Sequence, residues 1–154
     1  MAKNNRDEFT PKTKVQIAKR AGYHCSDPLC RRLTIGANSD GTDEINLGVA
    51  AHICAAAPGG PRYNPNQTPA ERKSADNGIW MCQLHGTAVD AKDSKYTTEL
   101  LREWKAQAQK DAWRATHYGE GPLAPTWRTP SEGELSSRVR AAAAADLAVF
   151  RSSD

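Results

Sequence analysis

"NGIWMCQLHGTAVD", residues 77–90, is the stretch on which the reading of this chain turns. It holds an amide (Asn77), a thiol (Cys82), an imidazole (His85) and a carboxylate (Asp90). The apolar run GIWMC reads as a short strand, and Cys82-x2-His85 lies where that strand turns. A strand that ends in two closely spaced ligands is half of a metal clamp. The other half lies upstream: Cys25-x4-Cys30 brackets an Asp27-Pro28 turn, with fifty-one residues between the two halves. Thiolate and imidazole donors together suit tetrahedral zinc with all four positions filled by protein. Cys25, Cys30, Cys82 and His85 are therefore expected to hold a structural zinc ion. Cys54, inside the apolar HICAAA, reads as a packing residue. A rival arrangement makes Cys54 the fourth ligand and frees His85 for catalysis.

The bulk properties agree with a small metal-stapled domain. At 154 residues the chain fits one domain with an appended segment. Its formal charge of +3 permits a polyanionic partner without demanding one. No stretch approaches the roughly 18 apolar residues of a membrane span, and MAKNNRDEFTPK lacks the apolar core of a signal peptide. A cytoplasmic protein with no membrane role is expected, and there thiols stay reduced and serve as ligands rather than disulfides.

Outward from the opening stretch, helix signals mark both flanks. FTPKTKVQIAKRAG carries Thr10 as cap, Pro11 in the first helical position and Gly22 as stop. Downstream, Thr97 or Thr98 caps the strongest helix, whose stripe is Leu100, Leu101, Trp104, Ala108 and Ala112 and whose end is Gly119. A short strand is expected near Arg32–Ile35, then a polar loop over GANSDGTDEIN. LGVAAHICAAA reads as a buried strand, and PGGPRYNPNQTPAERKSADN, with four prolines, as a long turn-rich connection. Residues 119–130 form a Pro/Gly linker. Residues 131–154 open with a Ser131–Glu134 capping box and place Leu135, Val139, Ala142, Leu147 and Phe150 on one helical face. That face needs a partner: the domain itself, a second subunit, or a further domain.

The remaining polar residues carry a resemblance. His52 ends the strand GVAAHI before the glycine-rich PGGP, Asn77 precedes the second strand, and the Cys82/His85 half-site follows. An imidazole, then Gly-Gly, then Asn, then a zinc half-site resembles the HNH endonuclease family, over about residues 22–105. The run GVAAHICAAAPGGPRYNP … ERKSADNGIWMCQLHGTAVD … YTTELLREWK is similar to HNH effector domains of bacterial anti-phage defence proteins such as the HNH–SAVED effectors.

The resemblance implies an α+β fold with a ββα-metal (HNH) nuclease core, buttressed by zinc and flanked by helices, over residues 1–118. It implies His52 as the general base, Asn77 as the residue that orients it and holds its loop, and a catalytic Mg²⁺ or Mn²⁺. That ion would polarise the phosphate and stabilise the leaving 3′ oxygen. The chain departs from the family pattern at two usual ligand positions, where it has Ala51 and Gly86. Asp90 is the carboxylate expected to take their place, ahead of Asp76 and Asp93. DNA is the expected partner, with Arg62 and Arg32 foremost among Arg31, Arg32, Arg62, Arg72 and Lys73 as phosphate-binding residues. A sensor or regulatory domain at the C-terminal side and a homo-oligomer are the other expected partners. His24 and His117 read as bland. A zinc-stapled nucleic-acid-binding domain without catalysis is the competing reading.

Overall fold

The computed structural model describes residues 6–91 and 94–119. Helix α1 (Pro11–Arg20) starts where its cap signal lies: Thr10 Oγ1 accepts the Thr13 N–H at 3.1 Å. Such a cap contributes about 1 kcal/mol. Pro11 occupies the first turn, where a missing N–H costs nothing. Ile17 and Ala18 are the buried residues of α1, and they pack with Phe9, Ala75 and Trp80 in one half of the core.

The polar stretch after the cysteine turn is not a loop throughout. Strands β1 (Ile35–Ala37) and β2 (Glu44–Asn46) form a small antiparallel hairpin, with Gly36 opposite Ile45. Neither strand buries a residue, so no apolar alternation marks them in the sequence. The turn is held instead by short polar side chains: Asp40 Oδ1 accepts from Thr42 N, and Asn38 Oδ1 accepts from Asp43 N. The strand expected near residues 32–35 begins only at Ile35, with Leu33 in an isolated bridge to His24.

The centre of the molecule is a second antiparallel pair, β3 (Gly48–His52) and β4 (Gly78–Cys82). Gly48 lies opposite Cys82 and His52 opposite Gly78. β4 is buried along its whole length, which accounts for its unbroken apolar sequence. Between the strands, the proline-rich connection is more ordered than its composition announces. It contains helix α2 (Pro69–Lys73) and a 3₁₀ turn over Ala75–Asn77. A Thr68/Glu71 capping box nucleates α2, a signal already present in T-P-A-E.

Helix α3 (Gln83–Asp90) leaves β4 directly and packs against both strands. Gly86 is buried at this contact, and a Cβ there would lie 2.3 Å from Val49 Cγ2. Only a residue without a side chain lets α3 approach β3 so closely, which is why no ligand could occupy position 86 in this packing. Helix α4 (Thr98–Tyr118) closes the core, capped by Thr97 and ended at Gly119. Leu101 and Ala108 are its buried residues. The second half of the core gathers Ile53, Ile79, Met81, Val89 and Leu101.

The mixture of helices with small antiparallel sheets agrees with the α+β expectation. Among the described residues no helix is long and apolar enough to cross a membrane. Apart from Gly119, the linker expected at 119–130 and the amphipathic helix expected at 131–154 lie outside the described residues, as does Asp93.

Candidate metal centre and the recess beside it

The two ligand half-sites meet where β4 runs into α3. The ligand atoms of Cys25, Cys30, Cys82 and His85 all lie within 4.8 Å of one another, a cluster able to hold a metal ion. His85 Nδ1 is 3.6 Å from Cys25 Sγ and 3.4 Å from Cys82 Sγ. A tetrahedral zinc ion with ordinary Zn–S and Zn–N bonds separates sulfur and nitrogen by about 3.5 Å. The donor set and its spacing thus fit zinc. All four cysteines are free thiols. Burial pushes the Cys25 thiol well above its usual value, and the Cys30 and Cys82 sulfurs add to this against backbone groups of Cys82 and Asp27. A bound cation is what reverses that cost. Asp27 backs the cluster: one oxygen lies 3.8 Å from His85 Nε2, the other accepts the Leu29 N–H at 2.8 Å.

Cys54 is not part of the cluster. It is buried in the core, its sulfur 4.0 Å from Thr98 Oγ1. The arrangement in which Cys54 completes the metal site and His85 is released is therefore overturned.

Away from the cysteine cluster's own residues, His52 and Asp90 line one open recess of about 440 Å³, together with Arg6, Glu8, Ala50 and the 55–61 loop. Strand alternation turns Ala51 to the opposite side, where it is 3% exposed beside Ile53 and Ile79. A carboxylate at 51 would sit in the apolar core, which explains the alanine. The His52 ring stacks on Phe9, with centroids 3.8 Å apart and planes 5° from parallel. Its Nε2 lies 3.1 Å from the Asp7 carbonyl oxygen. A carbonyl accepts only, so Nε2 carries the proton and Nδ1 keeps the lone pair of the neutral ring. Burial lowers the His52 pKa below 6.5, opposed by the Asp7 carbonyl, Glu8 and Asp90, with Arg6 adding slightly.

Asp90 is the last residue of α3, where the helix dipole disfavours a negative charge. Its side chain reaches the surface, yet partial burial of the carboxylate raises its pKa above the ordinary value, against the pull of Arg62, His52 and Arg6. Asp76, the other candidate in the described residues, is exposed, pairs with Arg20 at 3.0 Å and does not line the recess.

Asn77 is buried, and its side-chain hydrogen bonds go to Cys54 and Arg72 rather than to the His52 ring. Its Oδ1 accepts the Cys54 N–H at 2.9 Å, and its Nδ2 donates to the Cys54 and Arg72 carbonyls at 2.8 and 3.1 Å. It holds the chain just after β3, so the loop-holding part of its expected role has a direct structural basis. Lys105 supports it from α4, donating to the Ala75 and Asp76 carbonyls of the 3₁₀ turn; burial brings its pKa down to about 8. Asn77→Ala leaves one buried N–H and two carbonyls without these partners. Urea unfolding should show a loss of about 2–4 kcal/mol. A loss under about 0.5 kcal/mol would mean the loop holds itself.

The arginines expected to meet DNA are mostly committed inside the fold. Arg62 adopts φ +57° and donates Nε to Ile53 O, Nη1 to Val89 O and Nη2 to His52 O. It ties the end of β3 to the end of α3, and a strained left-handed arginine persists because these bonds over-determine it. Arg31 forms a covered ion pair with Asp111 at 3.2 Å. Arg72 pairs with Asp7 at 2.7 Å and bonds the Gln67 carbonyl. Arg32 is exposed, but beside the cysteine cluster rather than in the recess. His24 Nδ1 bonds Gly22 O and His117 Nδ1 bonds Trp113 O, both local structural roles.

What the sequence reading missed is the segment Arg6–Phe9. It touches His52 through a ring and a carbonyl and lines the recess through Arg6 and Glu8. Neither family models nor curated proteins match the sequence.

Proposed function

We propose that this chain is a metal-dependent DNA endonuclease module that hydrolyses phosphodiester bonds. The observation that carries the reading is the recess shared by His52 and Asp90: an imidazole that carries its proton on Nε2 and a carboxylate that lines the same cavity. The recess is lined by the end of β3, the last residue of α3, the 55–61 loop and the segment before α1. The chain order β3, β4, α3 is that of the ββα-metal core of the HNH family, which the sequence resembles. His52 Nδ1 takes the proton of the attacking water. Asp90 would be the residue to hold Mg²⁺ or Mn²⁺, hard ions that take one or two carboxylates and keep several waters. Such an ion supplies charge stabilisation at the phosphate and leaving 3′ oxygen. Arg6, exposed at the mouth, is suited to meet a phosphate. Zinc at the cysteine cluster would hold β4 and α3 in place without taking part in the reaction.

Little sequence preference is expected, because nothing in the described residues around the recess resembles a base-reading element. A defence role against phage and control by a sensor domain or by oligomerisation complete the proposal and follow from the resemblance; the reducing interior of a cell suits the four free thiols.

One observation favours the rival, a nucleic-acid-binding domain without catalysis. Among the described residues the Cys/His cluster is the only group of three or more ligands that converges. Plasmid cleavage with Mg²⁺ or Mn²⁺ separates the two: nicking supports the nuclease, and binding without cutting under every divalent ion supports the rival. The pH profile adds a signature. Because burial lowers the His52 pKa, the base protonates only at a pH below the ordinary imidazole range, and the acid limb of kcat/KM should have its midpoint below that range. A midpoint above 7 would point to another base.

A further inference from the structure

The segment before α1 is fastened at several points, and each fastening bears on His52. Asp7 donates its N–H to the Ala56 carbonyl at 2.9 Å, in the loop that walls the recess. Its carboxylate takes Arg72 Nε at 2.7 Å and Lys73 Nζ at 3.2 Å, and is only 17% exposed. Its carbonyl receives His52 Nε2. Two residues on, Phe9 is buried in the core and lies flat against the imidazole.

Arg72 makes this more than a local contact. Its carbonyl accepts from Asn77 Nδ2, while its guanidinium grips Asp7. Asn77 is thereby connected to the His52 ring through two residues: Arg72, whose carbonyl it bonds, and Asp7, whose carboxylate Arg72 holds and whose carbonyl meets the ring. This route reaches the ring itself, beside the backbone bond from Ile53 N–H to the Asn77 carbonyl.

We propose that Arg6–Phe9 is a strap that sets the tautomer and plane of His52, with Asp7 as its positioning residue, anchored by Arg72. The carbonyl selects the ring form protonated at Nε2, and the Phe9 face fixes the plane, so that Nδ1 is presented to the recess as the lone-pair nitrogen. The strap adds to the nuclease reading and rests on His52 being the base for its kinetic consequence. Its structural content stands apart from catalysis.

The test reads both. Long-range ¹H–¹⁵N NMR of the full chain, with the His52 signals identified by their loss in His52→Gln, reports the tautomer directly. The wild-type ring should show a protonated Nε2 and an unprotonated Nδ1 at neutral pH. A protonated Nδ1 in the wild type overturns the strap without any variant. Asp7→Ala should mix the two tautomers and lower kcat by about 10–100-fold, as expected for a misplaced catalytic group, with KM within about twofold. Metal content should be unchanged, and Asp7→Glu should recover part of kcat. A single Nε2-protonated tautomer and wild-type kcat in Asp7→Ala would refute the proposal while leaving the nuclease reading intact. If the wild type cuts no DNA, the nuclease reading fails and the ring signals still decide the strap. Should Asp7→Ala not fold, the wild-type tautomer and Asp7→Asn, which keeps the shape but loses the charge, decide between the same two outcomes.

Discussion

Cys25→Ser should leave the protein without bound metal and largely unfolded at 25 °C. Apparent binding energies for structural zinc reach about 10–16 kcal/mol at neutral pH, against a total stability for a small domain of about 5–15 kcal/mol. Removing one thiolate from a four-ligand set therefore takes away an amount comparable to the whole stability. The position of the cluster magnifies the effect. Cys25 and Cys30 belong to the turn after α1, Cys82 ends β4 and His85 opens α3. Without the ion, the buried Cys25 thiol keeps its proton and nothing fastens these elements together. Metal analysis and far-UV circular dichroism of the variant check this, with a chelator titration of the wild type beside them. His85→Ala should behave alike. A protein that purifies without metal and melts at the same temperature in excess chelator would rule out the structural clamp.

His52→Ala should lower DNA cleavage by at least about a hundredfold, the usual contribution of a positioned general base. The same variant should keep its metal and stay folded. Its melting temperature falls modestly, since the flat contact with Phe9 is lost and such ring pairs contribute about 0.5–1.5 kcal/mol. The contrast matters because a histidine stacked on a core phenylalanine has a plain structural reading too. Under that reading the variant unfolds or loses stability heavily. Under the catalytic reading the rate collapses and the fold persists. Cleavage rates measured alongside thermal melts distinguish these, and a folded His52→Ala protein that cuts at the wild-type rate would end the assignment of His52 as base.

The parts of this molecule legible in its sequence are those with local signatures. Thr10-Pro11 and Thr97 announced their helices because a cap is a bond between residues three apart. The β3–β4 strands showed through their apolar runs. β1 and β2 did not, because nothing in them is buried and only the Asn38–Asp43 turn chemistry marks them. The capping box of α2 was present in the sequence, but its five residues were hidden among four prolines.

The residues of the cluster that could hold a metal ion were likewise readable by themselves, since each half-site is a short spacing and soft donors admit few metals. What only the tertiary structure decided is which distant groups meet. Asp7 reaches His52 across 45 positions and Arg72 across 65, and no periodicity encodes such a meeting. The arginines show the same limit. Their charge, read along the chain, suits phosphate, yet Arg31, Arg62 and Arg72 direct it to Asp111, to backbone carbonyls and to Asp7. The physical reason is that a ligand pair close in sequence carries its geometry in the backbone between its members. An imidazole's tautomer, or a guanidinium's partner, depends on a surface that exists only once β3, β4, α3 and the first residues have folded together.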